Sequence, residues 1–446
     1  MRTEHNVSRS GITGTMGREG GDLLVAVDVG SARVACAVAE IGRDKPMLLA
    51  AESATSYGIR GGEIVDITRA SEAIRIAILA AADRADAEVR TVVVGLSGDT
   101  RLSTARACME LDRERRTVTP SDLKRLRKSV VPENAGGRRN IHRFDGPYSV
   151  GDLHGVEHPE GLNGDKLEMQ ATFLSAAGDR LDNVLKAVRA AGVEIEAVSL
   201  EPFSGSIGAL ARDERALGAA VIDLGAGAFR AALWEGGRLR QIHNVGREGI
   251  PAMSQSGRCL EGVTASMGGM DGIVMPLARR FRIAPATAER LLRTHAVLGD
   301  GELEGIPDVV EVAAVDGLGS VRIETRELSR TIEELLAPVA RSLREGLSGF
   351  ATGHAVGVVL IGGGARIKGM TSWMSKRFGG APVRLGVPGW SAEGAALPPD
   401  LADCGGCSLA GLLAFGTEER ARMGYRSRTS MFTRVSEGLR KFVASL

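Results

Sequence analysis

Short apolar runs, each closed by a tight polar turn, recur in the two halves of the chain. The runs lie at 23–29, 34–41 and 47–54 in the first half and at 219–224, 229–234 and 238–245 in the second. Apolar segments of this length, bounded by glycine and polar residues, predict β-strands, and their close spacing predicts hairpins that continue into a third strand. The sequence therefore predicts two similar β-meanders.

The two meanders align at an aspartate near the end of their first strand. Val27-Asp28-Val29-Gly30 matches Ile222-Asp223-Leu224-Gly225, and alanine-rich helical patterns follow at 71–85 and 275–296. Two matching units indicate a duplicated α/β protein with two lobes, whose cleft is the default place for a ligand. Because aspartate and glycine are common turn residues, an accidental match is the alternative explanation.

The composition favours a globular chain without a strong charge bias. The 446 residues carry 56 Lys and Arg against 55 Asp and Glu, which argues against a general nucleic-acid binder. No apolar run approaches the roughly 18 residues that span a bilayer. The polar leader 1–22 lacks the apolar segment of a signal peptide, so we expect a disordered tail and a cytoplasmic compartment. Cys404 and Cys407 form a single CxxC, which predicts core cysteines rather than a zinc site.

An aspartate followed directly by a glycine turn suits phosphate binding. Glycine lets the backbone come close to a ligand and point N–H groups at phosphate oxygens, while the carboxylate holds Mg²⁺, usually through water. Two such hairpins that face each other would bind a triphosphate from both sides. The alternative is that Asp28 and Asp223 only stabilise turns.

Two further segments favour the ligand site. An apolar strand at 356–361 runs into the triple glycine 362–364, and a helix follows at Met370–Arg377. This order of strand, glycine and helix brings backbone amides close to a nucleotide. Another strand ends at Glu201-Pro202, ahead of a small-residue helix at 203–210. Neither GxxxxGK[ST] nor GxGxxG occurs, so the chain is not a P-loop protein or a standard dinucleotide binder.

Together these segments resemble the actin/Hsp70/sugar-kinase superfamily. Residues 28–34 and 223–229 are similar to its first and second phosphate loops. Glu201-Pro202 is similar to its first connecting segment, and 360–370 to its adenosine motif. Each motif alone is weak, but the four occur in the order that the superfamily has.

An inserted segment narrows the resemblance to one family. Residues 91–175 predict strands and one helix, which begins at Pro120 with Thr119 as its N-cap. This insertion, the stretch 58–66 and the approach to Glu201 at 181–202 are similar to the FtsA family of bacterial cell-division actin homologues. The resemblance runs from about residue 23 to the C-terminus.

The resemblance implies a two-lobed actin-like (ribonuclease H-like) ATPase fold of the α/β class. A small α/β subdomain is inserted in the first lobe, and an amphipathic helix ends the chain. The implied divisions are a disordered leader, 1–22; the first lobe, 23–90 and 176–215; the inserted subdomain, 91–175; the second lobe, 216–246; its upper, FtsZ-facing part, 247–345; the rest of the second lobe with the return to the first, 346–417; a basic linker, 418–430; and the helix, 431–446.

The resemblance also implies ATP and Mg²⁺ as cofactors. Asp28 and Asp223 would hold Mg²⁺ through water, and Glu201 would position a water or the metal. The residues implied to bind nucleotide are Asp28, Gly30, Ser31, Ala32, Arg33, Asp223, Gly225, Ala226, Gly227, Glu289, Gly362, Gly363, Gly364, Arg366 and Lys368. The segment 225–230 lacks the hydroxyl side chains usual in the second loop, and Arg230 stands where an acidic residue is usual. We therefore expect nucleotide binding with at most weak ATPase activity.

Residues 431–446 have the pattern of an amphipathic helix. Bulky apolar side chains at helical spacing form one face and cations lie on or beside the other, which suits an anionic membrane surface. They are Met431, Phe432, Val435, Leu439, Phe442, Val443 and Leu446, with the cations Arg434, Arg440 and Lys441. The alternative is a terminal helix docked on the protein's own core. In the FtsA family this helix is the membrane-targeting sequence, and the resemblance implies the same role here.

By the same resemblance, the partners are FtsZ, other copies of this chain in a filament or dimer, and further division proteins bound through the inserted subdomain. The implied location is the cytoplasmic face of the cell membrane at the division septum. One departure from the family is an insertion at 246–267, rich in Gly and Ser, which predicts an extended loop. Two alternatives stay open: a kinase or phosphatase of the same superfamily, and a pilus-assembly actin homologue.

Overall fold

The computed structural model describes most of the chain. The described residues are 16–17, 22–41, 46–111, 117–132, 136–245, 251–253, 259–264, 268–299, 305–347, 356–390, 392, 395 and 397–423. The predicted leader is described only at 16–17 and 22, and the predicted helix 431–446 lies outside the described residues.

The described part of the chain holds short strands and helices in alternation. The strands are β1 (Met16–Gly17), β2 (Leu23–Val29), β3 (Arg33–Glu40), β4 (Met47–Thr55), β5 (Ile59–Arg60), β6 (Glu63–Ile64), β7 (Ala87–Glu88), β8 (Thr91–Leu96), β9 (Thr100–Glu110), β10 (Arg138–Val150), β11 (Leu153–Val156), β12 (Lys166–Ala177), β13 (Glu194–Leu200), β14 (Ala219–Leu224), β15 (Phe229–Glu235), β16 (Arg238–Val245), β17 (Pro251–Met253), β18 (Cys259–Thr264), β19 (Val309–Ala313), β20 (Ser320–Glu324), β21 (Val358–Ile361) and β22 (Val383–Leu385). The helices are α1 (Ile67–Arg84), α2 (Pro120–Ser129), α3 (Gly178–Ala190), α4 (Glu201–Ala209), α5 (Arg212–Leu217), α6 (Asp271–Phe281), α7 (Pro285–Thr294), α8 (Thr325–Gly346), α9 (Met370–Arg377) and α10 (Cys407–Arg422).

Two five-stranded sheets form the two lobes, and their strand orders correspond. The first is β4-β3-β2-β8-β13 and the second is β16-β15-β14-β21-β22. In each sheet the three strands of the meander pair antiparallel, and the two later strands join in parallel. This shared order confirms the predicted duplication.

The strands at the centre of each sheet are apolar along almost their whole length, apart from Asp28 in β2 and Asp223 in β14. In β2 every side chain except that of Asp28 is buried, and all four side chains of β21 are buried. Helices account for this burial in the first lobe, because α1 packs on β3 and β4 while α10 packs on β2 and β8. Continuous apolar runs are typical of strands that pair in parallel beneath helices.

The inserted subdomain is a four-stranded antiparallel sheet, β11-β10-β12-β9, with α2 packed against it. It has a core of its own, to which Leu126 and Leu167 contribute. Helix α2 begins as predicted: Thr119 is the N-cap, Pro120 opens the first turn, and Asp122 completes a capping box. Residues within the first turn therefore determine where α2 begins.

His142 on β10 joins the inserted subdomain to the start of α4. Its Nε2 accepts a hydrogen bond of 3.0 Å from the Leu200 N–H, and its ring lies 4.6 Å from that of Phe203, centroid to centroid. Burial lowers the pKa of His142 to about 3, so the ring is neutral and is able to accept. This contact fixes the subdomain beside the residue that follows Leu200, which is Glu201.

Helices α4 and α10 make the two crossings between the lobes and meet at glycines. Helix α4 follows β13 of the first lobe, and α10 brings the chain back from the second lobe. A Cβ on Gly208 would collide with the carbonyl oxygen of Cys407, and one on Gly411 with that of Ser204. The two helix backbones are therefore in direct contact.

Two predictions about the second lobe are corrected by the structure. The pattern at 275–296 predicts one helix, whereas α6 ends at Phe281 and α7 begins at Pro285. Arg282 has a left-handed φ of +54°, which ends α6, and Pro285 lies in the first turn of α7, where its missing N–H leaves no hydrogen bond unmade. The segment 246–267 was expected to be an extended loop, but it contains the antiparallel pair β17 and β18.

Candidate functional site

Asp28 and Asp223 lie at corresponding points of the two sheets. Each is the next-to-last residue of the first strand of its meander. On the parallel side, Asp28 lies beside Gly95 and Asp223 beside Ile361. Open α/β sheets bind ligands at the carboxyl ends of such strands. The predicted pair is therefore at the sheet edge expected of a ligand site.

The two glycine loops that follow these aspartates meet each other. A Cβ added to Gly227 would collide with Oγ of Ser31 and would lie 2.9 Å from Cα of Gly61. Ser31 Oγ accepts a hydrogen bond of 2.8 Å from the Gly62 N–H. The structure thus brings together the two loops that the sequence analysis assigned to one ligand.

Gly61 and Gly62 belong to this site although the sequence analysis gave them no site role. Both have positive φ, +61° and +77°, a conformation that favours glycine. In the sequence analysis, the stretch 58–66 is noted only for its similarity to the FtsA family, and nothing in it indicates a binding role. The two-residue strands β5 and β6 on either side give no periodic signal that would place the turn between the loops.

The second loop is also held by the turn that leads into α6. The Met270 N–H donates to the carbonyl of Gly225 at 3.0 Å, and the Asp271 N–H donates to that of Ala226 at 2.9 Å. The loop lacks hydroxyl side chains, so these backbone hydrogen bonds position it instead.

Glu201 begins α4 and adds a third acid to the site. Its side chain is buried; Oε1 accepts a hydrogen bond from Ser408, and Oε2 has no hydrogen-bond partner among the described residues. Burial, and then the negative charges of Asp28 and Asp223, raise the pKa of Glu201 well above its usual value. The site therefore favours the protonated form of Glu201.

Burial is also the main influence on the two aspartates. It raises the pKa of Asp28 against the attraction of Arg33 and Arg230, and it raises the pKa of Asp223 to about 6 against the attraction of Arg230. A turn that needs only a local hydrogen bond does not require three interacting buried acids. Perturbed acids that share one site are typical of functional sites.

Arg230 faces Asp223 across the hairpin of β14 and β15. Its Nη1 lies 3.4 Å from Asp223 Oδ2, and its side chain is only 5% exposed. The sequence identifies Arg230 as a departure from the family pattern. The register of the hairpin adds that this cation is directed at one of the two predicted metal ligands.

Two arginines predicted to bind nucleotide are engaged by the segment before α10. Arg33 Nη1 donates to the Asp400 carboxylate at 2.5 Å, and its Nη2 donates to the Gly405 carbonyl at 2.7 Å. Arg366 Nε donates to the Asp403 carboxylate at 2.7 Å. Asp400 and Asp403 are site residues that sequence reasoning missed. Arg33 and Asp400 are 367 positions apart, so no local pattern reveals their contact.

The triple glycine after β21 packs against the end of β14. Gly362 has φ +84°, and a Cβ there would lie 2.5 Å from Asp223 Oδ1. A Cβ on Gly364 would lie 2.9 Å from the Leu224 carbonyl oxygen. At Gly363, by contrast, the nearest described atom is Arg366 Nη1 at 4.0 Å. Gly362 and Gly364 are thus required by packing, whereas Gly363 borders open space.

Lys368 and Glu289 belong to the second lobe. The backbone carbonyl of Lys368 accepts a hydrogen bond of 2.8 Å from the Leu298 N–H. Glu289 on α7 pairs with Arg293 at 2.6 Å. Burial, and then the charge of Glu289, raise the pKa of Asp271 to about 6. These contacts do not test the predicted nucleotide role of Lys368 and Glu289, which stays a prediction.

The three acids do not fit the predicted Mg²⁺ site. Across the residues that the structure describes, no group of three or more Asp, Glu, His or Cys side chains is arranged to hold a metal ion. The Arg230 guanidinium already binds the Asp223 carboxylate. A fixed cation beside a carboxylate repels a divalent ion and competes for the same oxygen.

Cys404 and Cys407 are both buried. Cys404 Sγ lies 3.7 Å from the Gly362 carbonyl oxygen, and burial raises the pKa of Cys404 to about 11, so the thiol is protonated at neutral pH. The prediction that this pair consists of core cysteines is confirmed.

Comparison with known proteins matches the inserted subdomain to a family and finds similarity over most of the chain. Residues 99–175 match the family described as the SHS2 domain inserted in FTSA, within the predicted insertion. The chain is 25% identical over 385 residues to the cell division protein FtsA of Pseudomonas aeruginosa, covering 84% of this chain and 85% of that protein. It is 26% identical over 379 residues to FtsA of Escherichia coli, covering 82% and 84%. The chain is thus similar to FtsA over most of its length. FtsA of Streptococcus pneumoniae is 27% identical over 375 residues, covering 84% and 77%.

Solved structures confirm the fold of the chain. The PilM–PilN type IV pilus biogenesis complex matches with a TM-score of 0.56 at 17% identity, covering 88% of this chain and 98% of that chain. MreB5 of Spiroplasma citri bound to ADP matches with a TM-score of 0.52 at 13% identity, covering 91% and 99%. Likeness at such identities concerns the fold alone. The two-lobed actin-like fold predicted from the sequence is thereby confirmed.

None of the helices described here is long and apolar enough to cross a membrane.

Proposed function

We propose that this protein is an ATP-binding, actin-like cell-division protein that polymerises and links FtsZ to the membrane at the division septum. One observation carries the proposal: two matching glycine loops meet at the ends of two corresponding sheets, in a chain that also contains the SHS2 insertion of FtsA. Meeting loops are suited to a phosphate chain bound from both sides.

The nucleotide acts as a conformational ligand more than as a substrate. A phosphate chain held by both loops favours the closed arrangement of the lobes, and a ligand shifts an equilibrium by its preference for one state. Slow turnover is expected at Glu201, because burial and the neighbouring aspartates raise its pKa and disfavour the carboxylate that would activate water. The second loop also lacks side-chain hydroxyls that would donate to phosphate.

The partners follow from the FtsA relationship. FtsZ binds the upper part of the second lobe, 247–345; other division proteins bind the inserted subdomain; and further copies of the chain form the filament. The helix 431–446 attaches the filament to anionic lipid on the cytoplasmic face of the membrane. One short amphipathic helix binds reversibly, so many linked copies are needed for stable attachment.

Nucleotide binding is tested by titrating the full chain with a fluorescent ATP analogue. Asp28→Ala removes an acid at the loop, and Gly363→Glu places a carboxylate in the open space beside the phosphates. We expect Gly363→Glu to bind at least about tenfold more weakly by charge repulsion, and Asp28→Ala to change the affinity because a charge beside the first loop is removed. Asp152→Ala, at an exposed position of the inserted subdomain, is the matched control and should bind as the parent does. Unchanged affinity in both site variants would remove this cleft from nucleotide binding.

Membrane attachment is tested by pelleting with anionic liposomes, with and without 431–446. The full chain should pellet and the truncated chain should not. Phe432→Glu, which places a charge in the apolar face, should stay in the supernatant. If the truncated chain pellets as well as the full chain, the tether lies elsewhere.

FtsZ binding is tested by co-pelleting the truncated chain with FtsZ polymers, which separates this contact from lipid binding. We expect the chain in the pellet only when FtsZ polymers are present. A substrate-dependent ATP turnover far above the rate without substrate would instead support a kinase or phosphatase.

A further inference from the structure

Arg230 is a buried cation placed among acids that were expected to hold a metal. Its side chain is 5% exposed and its Nη1 lies 3.4 Å from Asp223 Oδ2. Its positive charge also acts on Asp28 and Glu201, since it lowers the pKa of each against the effect of burial. The guanidinium therefore pairs with Asp223, and its positive charge also favours the ionised forms of Asp28 and Glu201.

This arrangement occurs in only one of the two matching hairpins. Asp223 pairs with Arg230 across β14 and β15, whereas Asp28 pairs with Ala35 across β2 and β3. Since the loops are of equal length, Ala35 and Arg230 occupy the same register position. The hairpin forms with alanine at this position in the first lobe, so its backbone does not require an arginine. We therefore attribute Arg230 to the negative charges around it.

Arg230 is not fully satisfied by the protein. Among the described residues, its Nε has no hydrogen-bond partner, and neither has Oε2 of Glu201. Both side chains, together with Asp223, line a cavity of about 10 Å³. That is close to the minimum for one water molecule, about 10–15 Å³. The space beside the free Nε is therefore sized for one water molecule at most, and the side chain acts on its surroundings mainly through its charge.

The two arginines predicted in the first loop and in the adenosine motif are already committed. Arg33 binds Asp400, and Arg366 binds Asp403. Each of these arginines is thus offset by a nearby carboxylate of the segment before α10. Arg230, by contrast, pairs with Asp223, one of the acids at the cleft where we propose that the phosphate chain binds.

We infer that the guanidinium of Arg230 takes the electrostatic place of a divalent cation at the end of β14, so that a nucleoside triphosphate binds in this cleft without a divalent cation. The inference rests on the proposed nucleotide-binding function. A guanidinium is always charged and presents several N–H donors in a fixed plane, so it offsets the carboxylates without having to be bound from solution.

The test compares the binding of a fluorescent ATP analogue to the full chain in excess Mg²⁺ and in EDTA at equal ionic strength. We expect the two dissociation constants to agree within about threefold, because the compensating charge is part of the protein. A loss of about tenfold or more in EDTA overturns the inference while leaving nucleotide binding intact. Absence of binding in both buffers overturns the proposed function, and the inference with it.

Two variants locate the effect in the side chain. Arg230→Gln removes the charge, and we expect its affinity in EDTA to fall at least about tenfold, with Mg²⁺ restoring part of the loss. Arg230→Lys keeps the charge and should still bind in EDTA. Circular dichroism melting of each variant establishes that it is folded before it is titrated. If folded Arg230→Gln binds equally well in the two buffers, the inference is wrong; if it does not fold, the comparison of the parent chain in the two buffers still decides.

Discussion

The hairpin of β2 and β3 and the hairpin of β14 and β15 place an aspartate at the same register position, but their arginines differ in position and partner. In the first hairpin, Arg33 ends the turn and reaches outward to Asp400 and Gly405. In the second, Arg230 lies one residue into the return strand and pairs with Asp223 inside the protein.

The two arginines thus have different roles in two hairpins of similar backbone. An arginine in the turn connects the first lobe to the segment that precedes α10. An arginine in the strand compensates acids that are buried on both sides of the cleft. Strand length and glycine determine the shared backbone of the two hairpins. The position of one arginine determines which charged groups each hairpin binds.

The largest effect is expected from exchanging each arginine for glutamine. Arg230→Gln should lower the free energy of unfolding by about 3–5 kcal/mol, because it leaves buried acids without their cation. Arg33→Gln, at a side chain that is 23% exposed, should cost about 1–2 kcal/mol through lost hydrogen bonds. Urea unfolding followed by circular dichroism measures both. Equal losses would mean that the two hairpins are electrostatically alike.

A smaller effect is expected from the loop position at which the copies differ in size. Gly227→Ala should cost about 1–3 kcal/mol and weaken nucleotide binding, because the new Cβ meets Ser31 of the other loop. Its counterpart Ala32→Gly removes a methyl group and should cost less than about 1 kcal/mol. Gly319→Ala is the control, since no atom lies within 4 Å of the added Cβ. A Gly227→Ala variant as stable as the control would show that the loops do not touch in solution.

The smallest effect is a change with pH. The folded-state pKa of Asp223, about 6, lies above its ordinary value of 3.8, so its protonation stabilises the fold at low pH, and this contribution is lost as the pH rises through 6. Removing Arg230 raises the pKa of this acid further. The stability deficit of Arg230→Gln should therefore be largest above neutral pH and shrink on acidification, by at most about 1.4 kcal/mol per pH unit.

The measurement is the free energy of unfolding of the parent and of Arg230→Gln on both sides of the pKa of Asp223. Arg330→Gln breaks an exposed pair with Glu334 and serves as the control, whose deficit should stay nearly constant. A deficit of Arg230→Gln that grows on acidification would contradict the assignment of Arg230 to the acids.

The parts of the site that the sequence predicts are those coded within a few residues. Asp28, Asp223 and their glycine turns are visible because the strands around them are short, apolar and repeated. Thr119 and Pro120 likewise predict the start of α2. Such signals depend on backbone preferences and therefore need no knowledge of the rest of the chain.

The parts that the sequence does not predict depend on contacts between distant segments. The capture of Arg33 by Asp400 joins residues 367 positions apart. The place of Gly61 against Gly227 depends on how the two lobes close. The break between α6 and α7 turns on Arg282, whose left-handed conformation is not favoured by its own side chain.

The glycine contact between α4 and α10 has a mechanical consequence. Most packed helices interlock through side chains, and relative movement has to lift one set of ridges over another. Where Gly208 and Gly411 bring bare backbone against bare backbone, few ridges stand in the way. Both crossings between the lobes therefore meet backbone to backbone, and a side chain added at either glycine would push the two helices apart.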